Sequence, residues 1–353
     1  MRMIDRYIGT TLLSHVVMVL MVLLALYFFS TLMAEMDKAG SGTYTSVDAV
    51  IYSLMLLPRQ AYELFPLVAL VGTILGVGSL ASSNELTVLR AAGVSIRRLA
   101  LSVMKTGFVL ILIVLVMGET LAPYLEKEAH ARKLSSLSHS VSMNTYNGLW
   151  ARDGDDFINI RRLMPDGEAD GITRYQFNDE GLSEISFAPH GWYQDNSWVV
   201  SPVLKTQFLQ GQVVTQRVDE ERWSSTFTPD VINVAALSPE NLALWELYAF
   251  VDYLHENALA AKRYETAMWV RFFTPLATGG MILLALPFVF GSLRTVTIGQ
   301  RVMTGSLIGI AFYLINGVFS RLGLIYDIAP LLSAGTPTVL VYITWFYLMR
   351  RVH

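Results

Sequence analysis

Few residues in this chain have the type and spacing that chemistry requires. His255-Glu256-Asn257 opens like the zinc-binding helix of a metalloprotease, but position 259 is Leu, so the second imidazole one helical turn on is missing. Asp153, Asp155 and Asp156 crowd three carboxylates together, yet their spacing fits no EF-hand loop and a solvated hairpin turn accounts for them better. There is no GxxxxGK[ST] phosphate loop, so the chain is not expected to hydrolyse ATP itself, and there is no Cys to supply a nucleophile, a thiolate ligand or a disulfide. With no paired catalytic constellation, an enzyme is the least favoured class; no cofactor, no metal and no nucleic acid partner are expected. What remains is charge in apolar surroundings. Glu63, Lys105 and Glu119 lie near the ends of hydrophobic runs, where an ionised side chain either snorkels to the interface or serves a function. His130, Arg132 and Lys133 form a cationic run that would suit an anionic headgroup, the bland alternative being a solvated helix face.

The segment Ser82 to Leu99, SSNELTVLRAAGVSIRRL, carries a more specific pattern. It reads as an amphipathic helix along a membrane surface, capped by Ser82 or Ser83, with Leu86, Leu89 and Arg90 across successive turns and Gly93 ending it. Such an element can dock in a groove of a soluble partner, or it can bind acidic lipid through Arg97 and Arg98.

The elements that must hold these groups are membrane helices. The chain is 53% hydrophobic and only 16% charged, and its charge is segregated: residues 124–264 hold 12 basic and 20 acidic residues, while the rest carries a net positive charge. A helix needs about 20 apolar residues to cross the hydrocarbon core. Six stretches qualify: Thr11 to Ala34, Phe65 to Leu80 with a polar lead-in from Val50, Leu99 to Leu121, Phe272 to Phe290, Val302 to Phe319 and Ala329 to Met349. The first is too long for a signal peptide and has no cleavage site, so it should remain as an anchor. The second is the weakest, because Pro58, Arg59, Glu63 and Pro66 stand at its entrance, which suggests a cavity wall. Gly72 with Gly76, and Gly305 with Gly309, have the spacing of close helix contacts. Basic residues at Arg2, Arg6, Arg90, Arg97, Arg98, Lys105, Arg294, Arg301, Arg350 and Arg351 fall on one side, which makes that side, and both termini, cytoplasmic. The acidic insert then lies outside.

Within the insert the apolar period drops to two. Strands are expected at Leu149 to Ala151, Phe157 to Ile160, Ile172 to Phe177, Trp198 to Val203, Phe208 to Leu209 and Val213 to Val218. Turns are expected at Asp153-Gly154-Asp155, Pro165-Asp166-Gly167, Asp179-Glu180-Gly181 and Asp195-Asn196-Ser197. An antiparallel sandwich or jelly roll follows, which could enclose apolar cargo or offer an edge strand to another sheet. After Ser238 the helical period returns through Leu247, Val251 and Leu254. The fold class is therefore membrane α+β, six transmembrane helices with an inserted periplasmic β-jelly-roll domain: 1-123 with the first three helices and a cytoplasmic helix at 82-99, 124-264 the insert, 265-353 the last three helices.

Several stretches together resemble the lipopolysaccharide-export permeases of the LptF/LptG family, more so its LptG members. They are DRYIG from Asp5, KAGSGTY from Lys38, LFPLVALVGTILGVGSLASSNELTVLRAAGVS from Leu64, SVMKT from Ser102, GLWARDGDDFINI from Gly148, and FFTPLATGG through FGSLRTVTIGQRVMTG from Phe272 to Gly305. The likeness covers almost the full chain. It implies half of a heterodimeric transmembrane domain in the bacterial inner membrane, paired with an LptF-like homologue. Two cytoplasmic LptB-like ATPases would drive it, and an LptC-like bitopic jelly-roll protein would join it in the periplasm. It further implies ATPase coupling through Glu85, Leu86, Leu89, Arg90 and Gly93, and substrate contacts at Lys38, Phe65, His130, Arg132 and Lys133. A lateral gate would be formed at Phe29, Thr31, Phe312, Asn316 and Phe319. Thr31 and Asp37 stand where other members carry basic residues, and His130 and Lys133 where they carry arginines, so the expected cationic ring is thinner here. Two other functions compete. A lipoprotein-releasing or mechanotransmitting permease would usually have four spans with the insert after the first, and a non-transporting scaffold would not need a docking helix.

Overall fold

The computed structural model of the 353-residue chain describes residues 3–137, 149–153, 156–163, 168–178, 181–194, 197–209, 212–224, 239, 242–290 and 297–351. Arg2, Gly148, Arg294, Ser238 and most of the expected turn residues, among them Gly154-Asp155, Pro165 to Gly167, Asp179-Glu180 and Asp195-Asn196, lie outside the described residues. The chain divides into two compact units, Met1–Leu137 with Glu265–His353, and Ser138–Tyr264.

In the first unit, α1 (Met3–Met36) is followed by α2 (Ser46–Met55), α3 (Leu57–Ser82), α4 (Glu85–Ala91) and α5 (Ile96–Val116). A π-helical turn at Met117–Leu121 joins α5 to α6 (Ala122–Leu137). Beyond the insert come α8 (Lys262–Phe290), α9 (Ile298–Ile325) and α10 (Pro330–Arg351). Six of these helical stretches are long and apolar enough to cross a membrane, and the expected apolar runs fall inside them except for Ala329, one residue before α10.

The helices outrun the apolar stretches because caps, not hydropathy, set their ends. Thr45 and Asp48 form a reciprocal capping box at α2, the Ser95 hydroxyl accepts the Arg98 N–H at α5, and Thr297 with Gln300 boxes the start of α9. The polar lead-in from Val50 is thus divided: its first residues end a separate short helix at Met55, and Pro58, Arg59 and Glu63 open α3. The third span continues without a break from α5 as far as Lys133 in α6, so the helix runs on past Leu121; Pro123 sits in the first turn of α6.

The span that looked weakest is the centre of the unit. The most apolar window of α3 is 78% buried, against 11% for α1 and for α9, so this helix is packed among the others, and Arg59 at its entrance is buried too. Glycines bring its neighbours in. A Cβ on Gly72 would stand 2.7 Å from Val16 Cα, and one on Gly76 3.2 Å from Leu12 Cα, both on α1. From the other side, Gly305 and Gly309 of α9 abut Ile74 and Leu67. Both small-residue pairs do what their spacing predicts.

The second unit is an eight-stranded antiparallel sheet of β1 (Leu149–Asp153), β2 (Asp156–Leu163), β3 (Glu168–Asn178), β4 (Gly181–Gln194), β5 (Ser197–Ser201), β6 (Val203–Leu209), β7 (Gln212–Val218) and β8 (Glu221–Ser224). The longest strand, β4, was not foreseen, because Pro189, His190 and Gly191 interrupt its alternation. Those residues mark a branch point. One edge of β4 pairs with β3, while the other pairs with β6 through Glu184–Phe187 and with β5 through His190–Gln194. Pro189, which has no N–H to donate, falls in the gap between them. The expected strand Trp198 to Val203 is split at Pro202 into β5 and β6. Ile158, Ile160, Ile172, Trp198, Val200 and Trp223 form the module's core with Phe250, Val251 and Leu254 of α7 (Leu244–Glu256). The expected start at Ser238 lies outside the described residues; at Leu244 the Glu246 carboxylate accepts the Ala243 N–H.

Candidate functional site

The Ser82 to Leu99 segment is not one helix. α3 continues to Ser82, Asn84 takes a left-handed conformation (φ 61°), and only the seven residues Glu85–Ala91 form α4. Neither Ser82 nor Ser83 caps it: their hydroxyls donate back to α3 carbonyls. The stop at Gly93 is as expected, with φ +88° and the Val94 N–H reaching the Leu89 carbonyl, a Schellman closure that requires a left-handed residue. Leu86 is buried in the apolar core of the bundle and Leu89 packs beside it. The outer face is left to Thr87, Val88, Arg90 and Ala91, with Gly93 exposed at the end. Glu85 turns toward α1: the Tyr7 hydroxyl donates to its Oε2 at 2.7 Å and the Ser83 hydroxyl to its Oε1 at 2.8 Å. These bonds, Tyr7's first, hold the Glu85 carboxyl below the usual range for glutamate.

At the other end of α1, Lys38 and Lys133 meet on a residue that sequence reasoning passed over. Both ammonium groups contact Glu35 Oε1, at 2.8 and 2.7 Å, and the Tyr44 hydroxyl donates to Oε2 at 3.2 Å. The hydrogen bond to Glu35 raises the Lys38 ammonium above the usual lysine range, and burial first, then the Glu35 charge, pushes the Tyr44 phenol up. Lys133 also lies 4.3 Å over the Tyr52 ring, against which His130 packs edge-on. Arg132 pairs with Glu128 at 2.6 Å and, with Tyr44, Asp48, Tyr52 and Lys133, lines a small cavity. Of the expected substrate residues, Lys38 and Lys133 are thus brought together, and His130 and Arg132 stand close by. Glu35 was legible only as an acid three residues before Lys38.

Phe65 is elsewhere. It is buried in α3 and lines a second small cavity with Tyr62, Val114, Leu115 and Thr278. The charged residues at the ends of the apolar runs are each ion-paired. Glu119, on the π-helical turn, meets Arg271 of α8 at 3.2 Å, and Glu63 meets Arg59 at 2.9 Å. Lys105 reaches Asp5 at 3.4 Å, where Arg98 also binds. All three ionisable residues singled out from the sequence are therefore ion-paired, Glu119 in partly buried surroundings and Glu63 and Lys105 with exposed side chains, and π-turns often mark functional positions. Arg271, a single cation in an apolar run, was the overlooked partner.

The expected gate residues are divided between α1 and α9, which both pack on α3. Phe29 is exposed on α1 and meets Phe28 edge-on, and Thr31 follows within the next turn. On α9, Phe312 packs against the cluster of Leu70, Ile74 and Met281, while Asn316 and Phe319 are half-buried. These are the two least buried spans, so each presents a long apolar face outward.

Residues 6–351 match the family described as lipopolysaccharide export system permease LptF/LptG. The chain is 34% identical to the lipopolysaccharide export system permease protein LptG of Escherichia coli K12, over 99% of this chain and 98% of that protein. It is 32% identical to the LptG protein of Haemophilus influenzae over the same shares. Six apolar helices interrupted by an antiparallel β module suit that family, and the chain belongs to it as a permease subunit of a lipopolysaccharide export system.

Proposed function

We propose that the chain is one half of a heterodimeric, ATP-driven extractor that takes lipopolysaccharide from the outer leaflet of the inner membrane and passes it to a periplasmic bridge. Its other half is an LptF-like homologue, two LptB-like cytoplasmic subunits hydrolyse ATP, and an LptC-like bitopic protein continues the path. Both termini and α4 lie in the cytoplasm and residues 124–264 in the periplasm, a reading that rests on the one-sided distribution of basic residues. Residues 1–123 and 265–353 supply the two sets of three spans.

The observation that best supports this reading is the build of α4. Its inner face is fixed in the bundle through Leu86, while Val88 remains 67% exposed; a short helix of that kind can transmit a push from a bound ATPase without being absorbed. Glu85, Leu86, Leu89, Arg90 and Gly93 form the coupling site. Lys38, Phe65, His130, Arg132 and Lys133 contact substrate, and Phe29, Thr31, Phe312, Asn316 and Phe319 form the gate between α1 and α9 and the partner's helices. Glu85→Ala tests the coupling site: in the reconstituted complex, at normal assembly and expression, ATP-dependent lipopolysaccharide release should fall by at least tenfold. Wild-type release by that variant removes the assignment.

A further inference from the structure

The lysine pair does not wait empty. Glu35 is 5% exposed, and a single one of its oxygens receives both Lys38 and Lys133. The two lysines differ in freedom: the Lys133 side chain is 16% exposed and held over Tyr52, whereas that of Lys38 is 47% exposed. On its far oxygen Glu35 is held by Tyr44, a contact that does not depend on either lysine.

We propose that Glu35 is a built-in anion that fills the lysine pair until a more highly charged group displaces it, and that it thereby selects phosphomonoester-bearing lipid over ordinary phosphodiester lipid. The inference rests on the reading of Lys38 and Lys133 as substrate contacts. An incoming anion must draw the ammonium groups away from a carboxylate already in position, whose tether gives it an effective concentration in the millimolar range. A phosphodiester brings one negative charge, no more than the carboxylate it must replace, and gains little. A phosphomonoester carries about −1.5 to −2 near neutral pH and three acceptor oxygens, so it can satisfy both lysines at once. Tyr44 keeps one partner on Glu35 after the lysines leave, which lowers the penalty for a buried carboxylate that has lost its cations.

The test uses the full permease complex in detergent and two probes, lipid A with two phosphomonoesters and phosphatidylglycerol, with binding read by native mass spectrometry. Wild type should bind lipid A with clear preference. Glu35→Gln should raise phosphatidylglycerol binding on the order of tenfold, as the competing charge is removed, and collapse the preference, while Glu35→Asp keeps it. Tyr44→Phe, which leaves the lysine contacts intact, should lower lipid A binding and leave phosphatidylglycerol unchanged. An unaltered preference in Glu35→Gln, or in Tyr44→Phe should Glu35→Gln not assemble, overturns the proposal, as does equal loss of both lipids. The Lys38→Met/Lys133→Met variant separates the two levels: if it binds lipid A normally, the lysine reading itself fails; if it loses lipid A while Glu35→Gln keeps its preference, only the role of Glu35 fails.

Discussion

Replacing Gly72 by alanine should separate α1 from α3, and the structure sets the scale. The added Cβ would lie 2.7 Å from the Val16 Cα and 3.1 Å from its backbone N, where ordinary contact begins at 3.4 Å. The obstacle is backbone, so no rotamer change relieves it. One helix must move by about 0.7 Å, the difference between 3.4 and 2.7 Å, and neighbouring contacts must follow. Overpacking of that kind costs about 1–3 kcal/mol, partly offset by the roughly 1 kcal/mol that alanine gains over glycine in a helix. Gly317→Ala supplies the contrast, since a Cβ there meets nothing within 4 Å and only the propensity gain remains. Thermal unfolding of the purified chain in mild detergent, followed by tryptophan fluorescence, should therefore move in opposite directions for the two variants. If Gly72→Ala is as stable as wild type, or if both variants shift alike, the close α1–α3 approach is not what holds the bundle.

Three further outcomes follow from the charged contacts. Arg271→Met removes the buried cation that meets Glu119 and should destabilise the bundle in detergent denaturation, with the Glu119→Gln/Arg271→Met double variant recovering part of the loss. Tyr7→Phe should leave assembly intact but lower the ratio of lipid-stimulated to basal ATPase activity in the complex, because Glu85 loses the bond that ties it to α1. Since that bond depresses the folded-state pKa of Glu85, its stabilising contribution is present above the unfolded glutamate value of about 4.3 and disappears as pH falls through the lower folded value. The stability difference between Tyr7→Phe and wild type should accordingly vanish on acidification, and a difference that persists at low pH would assign the effect to packing.

Much of this architecture is written in one dimension. Six apolar runs, two glycine pairs, a change to period two and the absence of a phosphate loop need only composition and spacing, because the bilayer and the backbone impose fixed lengths and periods on any sequence. Family membership was legible for the same reason, as ordered motifs along the whole chain. Other features depend on residues far apart in sequence. Nothing in the local pattern around Glu35 signals that a lysine 98 positions later shares its carboxylate, or that Glu119 faces Arg271 across 152 residues. The polar entrance of α3 looked like a weak span because hydropathy records only what a side chain is, whereas the fold buries Arg59 and pairs it with Glu63 one turn on. β4 was hidden by the proline and glycine that let one strand serve two partners. Sequence alone determined the six apolar spans and most of the strands, since those choices are governed by neighbours within a few residues. Which charges neutralise one another, and which helix lies at the centre, was decided only when the packed bundle brought distant side chains within hydrogen-bonding distance and removed the water that would otherwise have kept them apart.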